Sequence, residues 1–161
     1  MYKILAFLIF FGTIMTSGYA SEEKIYTKIY YSNGIIKAEG WQMGAIKTDY
    51  WIFYHSNGRV ASKGHFSNNS KNGYWYFNDT KGHIEKEGHY VNGSAEDWWI
   101  FYDIESSKTI KFQYRNNLKN GYSLCYKNTK LIKAEKYTND KKVGEWNSFI
   151  AFKRDNPGVS F

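Results

Sequence analysis

A segment of 24 residues repeats along this chain, and few folds accommodate such a period. YWIFYHSNGRVASKGHF, from Tyr50 to Phe66, returns as YWYFNDTKGHIEKEGHY from Tyr74 to Tyr90. Trp51, Trp75 and Trp99 keep the step, and so do Gly34, Gly58 and Gly82, and Gly40, Gly64 and Gly88. A fixed period of that size describes an array of small units, each unable to bury its own apolar side alone.

The unit reads as a hairpin. Aromatic and β-branched clusters are bounded by Asn, Gly and Ser, the punctuation of strands and turns. In the copy quoted first, Tyr50 to His55 is a strand, Ser56-Asn57-Gly58 a turn and Arg59 to Ser67 the return. Asn68 to Gly73 is expected to turn into the next unit, with Gly73, Gly121 and Gly144 closing the longer turns. Trp51 and Phe53 fall on one face, and Tyr50, Ile52 and Tyr54 on the other. Gly64 recurs in register inside a strand, where glycine normally weakens pairing, so a tryptophan ring from a neighbouring strand is expected to lie over it. Towards the C-terminus the pattern drifts: Ser106, Phe112, Ser123 and Lys130 take the places of turn glycine, strand glycine, tryptophan and turn glycine. Trp146 then restores the tryptophan after 23 residues.

No window keeps helical spacing over several turns, which makes the repeat region all-β. The expected architecture is an elongated antiparallel meander of about five hairpins over residues 29–149. A signal helix and a lead-in of residues 21–28 precede it, and residues 150–161 follow as a tail. Six Trp, fifteen Tyr and eleven Phe against one Cys and one Pro mean that rings rather than crosslinks hold it together. Cys125 has no partner in its own chain for a disulfide and reads as a small apolar strand residue.

The first twenty residues have the layout of an export signal. Lys3 precedes an apolar run from Ile4 to Met15, and small Gly18 and Ala20 stand where a signal peptidase reads, predicting cleavage after Ala20. The destination is then the periplasm or the extracellular space. An uncleaved anchor is the alternative, although the run is short for a membrane span.

With the repeat laid out, YWIFYHSNGRVASKGHFSNNSKNGYW resembles the bacterial MORN-repeat variant family, whose acronym stands for membrane occupation and recognition nexus. The likeness runs from about Ile29 to Trp146 and is carried by Gly34, Gly40, Trp51, Gly58, Gly64, Trp75, Gly82, Gly88, Trp99, Gly121 and Trp146. It implies a sheet of successive hairpins used as a binding scaffold, with no enzymatic activity of its own.

The residues themselves offer little chemistry. His65 and His89 sit on equivalent strands roughly 10 Å apart by strand spacing, too far to share a metal, and His55 and His83 lie near turns of different units. Glu85 and Glu87 share a strand face, yet nothing near them in sequence would raise one pKa for acid catalysis. The glycines recur at strand and turn positions rather than opening a helix, so they form no phosphate cradle. Catalytic residues, metal and cofactors are all read as none.

Charge is more informative. Ser21 to Ser107 carries nine Lys and Arg against eleven Asp and Glu, whereas Lys108 to Phe161 carries twelve against four. A basic surface is expected on the C-terminal part, built from Lys111, Arg115, Lys119, Lys127, Lys130, Lys133 and Lys136, with Lys141 and Lys142 beyond. Two functions follow as expectations. One is a noncatalytic exported scaffold in the bacterial envelope, whose aromatic face meets another protein or a second copy of itself. The alternative is a module binding anionic lipid or envelope glycan through the basic end and exposed rings. Export argues against nucleic acid. A membrane β-barrel would need a continuous outward apolar band, which these short strands lack.

Overall fold

The computed structural model describes residues 22–159; the expected leader, its cleavage point and Phe161 lie outside the described residues. Eleven strands follow one another: β1 (Lys24–Tyr30), β2 (Ile36–Met43), β3 (Ile46–Tyr54), β4 (Val60–Ser67), β5 (Ser70–Asn78), β6 (Ile84–Val91), β7 (Ser94–Asp103), β8 (Lys108–Arg115), β9 (Leu118–Lys127), β10 (Lys130–Thr138) and β11 (Lys141–Trp146). Last among the described residues comes a helix, α1 (Phe149–Asp155). The strands pair in chain order in a single open sheet, each antiparallel to the next. The meander expected from the repeats is what the chain forms, with one strand more than five hairpins supply. Most of the segment expected as lead-in belongs to β1.

From β1 to β7 two kinds of turn alternate, and each has its chemistry. At one end of the strands, the carbonyls of Tyr31, His55 and Asp79 accept from the N–H of Gly34, Gly58 and Gly82 at 3.0, 2.9 and 3.0 Å. Those glycines have φ of 82°, 82° and 92°, the left-handed conformation that ends a three-residue hairpin loop. At the other end the turns have two residues. Asn68-Asn69, Asn92-Gly93, Asn116-Asn117 and Asn139-Asp140 all have positive φ at both central positions, as a turn matching strand twist requires. These turns are laced to one another: Lys47 and Ala95 donate their N–H to the side-chain oxygens of Asn69 and Asn117 at 2.7 Å.

The glycines of KNGY do not close turns. Gly73 and Gly121 lie inside β5 and β9, and Gly144 lies inside β11 opposite Lys136. Gly73 marks an irregularity where pairing between β4 and β5 jumps from Lys63↔Tyr76 to His65↔Asn72. Asp49, Gly73, Asp97 and Gly121, each 24 residues from the last, all take positive φ, at 53°, 75°, 57° and 120°. An extra pair of residues on the longer strand makes a bulge, two positions before Trp51, Trp75, Trp99 and Ser123.

The bulge is coupled to the core. Trp51, Trp75 and Trp99 are 1%, 0% and 3% exposed, and each ring lies flat on the glycine eleven positions earlier in the chain. A Cβ on Gly40, Gly64 or Gly88 would come within 2.3, 2.4 or 2.3 Å of that indole. Each indole N–H donates to the carbonyl following that glycine, at Trp41 (2.7 Å), His65 (3.0 Å) and His89 (3.2 Å). Phe53, Phe66, Phe77, Tyr90, Phe101 and Tyr114 close around the indoles with ring centroids about 5 to 6 Å apart. A buried ring of 150 to 250 Å² contributes roughly 4 to 6 kcal/mol of transfer free energy. One face of a single-layer sheet thereby makes its own core.

Drift in the last units is compensated. Phe112 stands where glycine is expected and Ser123, eleven positions later, where tryptophan is expected; the two face each other across β8 and β9. The large ring has changed strands. Ser123 is 2% exposed beneath it, and Phe112 meets Phe101, Tyr114 and Tyr137 edge-on.

Trp146 does not restore the tryptophan series. It pairs with Ala134, which pairs with Leu124, so it faces away from Trp51, Trp75 and Trp99. Its true series is Tyr26, Tyr50, Tyr74, Trp98 and Tyr122, at an unbroken step of 24. A change of one residue in a strand moves a side chain to the other face, which is why a spacing of 23 from the tryptophan position was misleading.

Residues 150–155, expected as part of a tail, form a helix together with Phe149. Ser148 is extended and its Oγ accepts from the Ala151 N–H at 3.2 Å, an N-cap, while Lys153 and Arg154 occupy the last turn, where positive charge suits the helix dipole. Phe152 is fully buried against Tyr122 and Trp146, with centroids at 5.5 and 5.3 Å, beside Leu124, Leu131 and Ala134. This is a second core, on the opposite face from Trp51, Trp75 and Trp99.

Candidate interaction surface

The two faces of the sheet differ in what they leave open. On the tryptophan face, lysine stems complete the cover. Lys71 Nζ lies 4.7 Å from the Trp75 ring centroid, 4.8 Å from Phe77 and 5.2 Å from Tyr90; burial, then the charge of Lys86, pushes its pKa down. Lys47 covers Trp51, and Lys119 covers Phe112 and Tyr137.

Among the described residues, the opposite face, which carries Tyr26, Tyr50 and Tyr74, is covered only at its C-terminal end, by α1, and is bare over β1 to β5. Register places Tyr26 opposite Trp41, Tyr50 opposite His65 and Met43 opposite Ile46, with Tyr74 one unit further on. Tyr26, Trp41, Met43, Ile46, Tyr50 and Tyr74 are all between 37% and 47% exposed. Tyr26 meets Trp41 edge-on at 5.2 Å and Tyr50 meets His65 at 5.0 Å, so the strip is ordered by its own ring contacts. Six large exposed apolar groups on one side of five strands exceed the scatter normal for a surface.

Beside the aromatic strip runs a row of charge. Following the pairs across the sheet gives Lys28, Glu39, Ile52, Lys63, Tyr76, Glu87, Ile100, Lys111 and Leu124. From Glu39 onward carboxylates and cations alternate, one on every second strand, and Lys28 stands beside Glu39 on β1. Tyr54 donates to Glu39 and Tyr102 to Glu87, both at 2.6 Å. Burial together with that bond pushes Tyr54 up to about 12 and Tyr102 up as well. The same bond from Tyr54, helped by Lys28, holds the Glu39 carboxyl below its usual range.

The basic residues are divided between the faces. Lys111 and Lys136 lie over Tyr126 and Tyr122 on the α1 side, and Arg115 shares that side opposite Leu118. Lys119, Lys127, Lys130 and Lys133 lie on the tryptophan side. Lys133 is engaged by Glu135 at 2.8 Å and Glu145 at 3.4 Å, and Lys142 joins the same cluster. No single basic face results. One local concentration does: Lys108, Lys127 and Lys130 stand opposite one another across β8, β9 and β10.

His65 and His89 share a face one unit apart, while His55 Nε2 lies 3.0 Å from the Asn78 carbonyl and His83 Nδ1 lies 3.2 Å from Asp79. Among the described residues no three His, Cys, Asp or Glu side chains are grouped as a metal site requires. Cys125 is half-buried in β9 opposite Lys133. An apolar hollow of 690 Å³ lies between β10 and α1, lined by Tyr126, Leu131, Ile132, Phe149 and Ile150.

The sequence repeats reveal the tryptophan positions, but the bare strip was not legible from them, because Tyr26, Tyr50 and Tyr74 repeat at the same step as the buried rings. The discriminating signal within the repeat is the glycine: Trp51, Trp75 and Trp99 each have one eleven positions earlier and are buried, whereas Tyr26, Tyr50 and Tyr74 have none. Neither a scan against protein-family models nor a search of curated proteins gave a match to this chain.

Proposed function

We propose that this is a noncatalytic scaffold of the MORN-variant type, exported to the bacterial envelope, that binds another protein through the tyrosine face of β1 to β5. The observation that carries this reading is the asymmetry between the faces. One is closed by its own indoles and lysine stems, with Ile25 and Ile29 exposed at its β1 edge, whereas the other leaves a contiguous strip of rings bare beside a row of alternating charge. Exposed rings rimmed by polar groups are the composition of interface centres, where Trp and Tyr supply most of the binding energy. Burying such a strip against a partner removes its apolar surface from water.

The test is a pull-down from the envelope fraction at low and high salt, with Trp41→Ser and Tyr50→Ser together as the comparison. Retention of one protein at both salt levels, lost in the double variant, supports the reading. Equal retention by both chains contradicts it.

A second reading rests on Lys108, Lys127 and Lys130. Like charges opposite one another across a sheet are unfavourable in isolation and attract an anion, such as a lipid headgroup or an acidic glycan. Binding to anionic vesicles that disappears with added salt, and with those three lysines replaced, favours this reading.

A further inference from the structure

The tyrosine face has a charge pattern that fits its own image. We propose that the partner it binds is a second copy of this chain, packed face to face over β1 to β5 about a two-fold axis lying between the sheets and parallel to β3. This rests on the scaffold reading above and names its partner.

Such an axis keeps position along the strands and reverses their order, so β2 of one copy faces β4 of the other. The charge row selects where the axis can stand. Centred on β3, Glu39 faces Lys63 of the second copy and Lys63 faces its Glu39, with Ile52 against Ile52 and Lys28 over the ring of Tyr76. Centred on β4, Lys63 would face Lys63 and Glu39 would face Glu87; centred on β2, Glu39 would face Glu39. Like charges brought together in an interface strongly disfavour it. Centred on β5 the charges match again, but β1 of the second copy would then lie over β9, where Phe152 of α1 sits against Tyr122. The helix closes that option, and of the axes that stand on a strand β3 remains.

The aromatic strip fits the same axis. Tyr50 meets Tyr50, Trp41 meets His65, and Tyr26 meets Tyr74, so each exposed ring in the strip has a ring opposite it. Five strands of about eight residues, at about 4.8 Å by 3.3 Å each, present roughly 600 Å² before side-chain relief, close to the ~800 Å² per partner of a stable interface. An axis of this kind gives an isologous, closed dimer.

The experiment is sedimentation velocity on the purified chain and four variants, Lys63→Glu, Glu39→Lys, the two combined, and Tyr50→Glu, with circular dichroism confirming that each is folded. Expected are a dimer for the parent chain, at least tenfold weaker association for each charge reversal, and recovery to within about threefold of the parent in the combined variant. Tyr50→Glu, exposed and on the axis, sets like charges together and is expected to weaken association at least tenfold without touching any buried contact. A monomeric parent chain, or a dimer indifferent to Lys63→Glu and Tyr50→Glu, overturns the pairing. A parent chain that is monomeric yet holds a different envelope protein through Trp41 and Tyr50 overturns only the self-pairing. One that also holds none overturns the scaffold reading with it.

Discussion

Trp75 lies so close over Gly64 that a Cβ there would come within 2.4 Å of the indole Cδ2. The contact joins one repeat to the unit before it, and Trp51 on Gly40 and Trp99 on Gly88 reproduce it. Ring-on-glycine packing lets a single-layer sheet bury three indoles without a second layer. It also frees the opposite face for other contacts.

The exchange at Phe112 and Ser123 gives a test of how strict that packing is. Ser123→Trp alone would drive an indole into the Phe112 ring and is expected to cost about 1 to 3 kcal/mol by overpacking. Adding Phe112→Gly recreates the arrangement of the earlier units and should recover most of the loss. Urea unfolding of both single variants and the double gives the coupling, expected to exceed about 1 kcal/mol; additive effects would mean the two positions do not share one space.

α1 is held to the sheet through Phe152. Phe152→Ala is expected to destabilise the chain by about 3 to 5 kcal/mol and to strip amide protection from residues 149–155 while the strands from β1 to β7 keep theirs. Hydrogen exchange reads both. Uniform loss of protection along the sheet would show that the helix is part of one cooperative unit with the N-terminal repeats.

Acid should weaken the fold through Glu39 and Glu135. Hydrogen bonding from Tyr54 holds Glu39 below the ordinary value of 4.5. For Glu135, burial pushes upward but is outweighed by Lys133, Tyr137 and Lys142. A carboxyl whose folded pKa is depressed contributes stability that is fully present above its unfolded pKa and is lost as pH falls through the folded one. Unfolding midpoints should therefore drop between about pH 5 and 3, and Glu39→Gln with Glu135→Gln should flatten that limb. Tyr54 has the opposite sign: raised to about 12, it contributes stability up to its unfolded value of 10.0 that is lost as pH climbs through the folded one. Tyr54→Phe should remove part of the alkaline limb. Unchanged slopes in these variants would mean other groups set the pH dependence.

Much of this architecture was legible in the sequence, because a 24-residue step fixes the hairpin as the unit and the spacing of its strands. What escaped has physical reasons. Asp49 and Asp97 share a left-handed conformation with Gly73 and Gly121, so the bulge position shows no constant residue, and KNGY resembled a turn when Asn68 and Asn69 already make one. Trp146 looked like a late member of the tryptophan series because residue type was weighed above parity; counting from Tyr122 and Trp98 places it on the other face. Seven residues are two turns, too few for a helical period to show, and only the Ser148 cap and Pro157 beyond mark α1. The basic residues divide between the two faces because neighbouring positions along a strand alternate faces, which no sum of charges over a half-chain can show.

The most direct test of the account is Gly64→Ala in two backgrounds, read by equilibrium unfolding in urea. In the parent chain the new methyl group must displace the indole, and a loss of about 1 to 3 kcal/mol is expected. With Trp75→Ala the space is open and φ at Gly64 is ordinary, so the same substitution should be neutral or stabilise by up to about 1 kcal/mol through the unfolded chain. A loss of equal size in both backgrounds would contradict the packing of the tryptophan of one repeat on the glycine of the repeat before it.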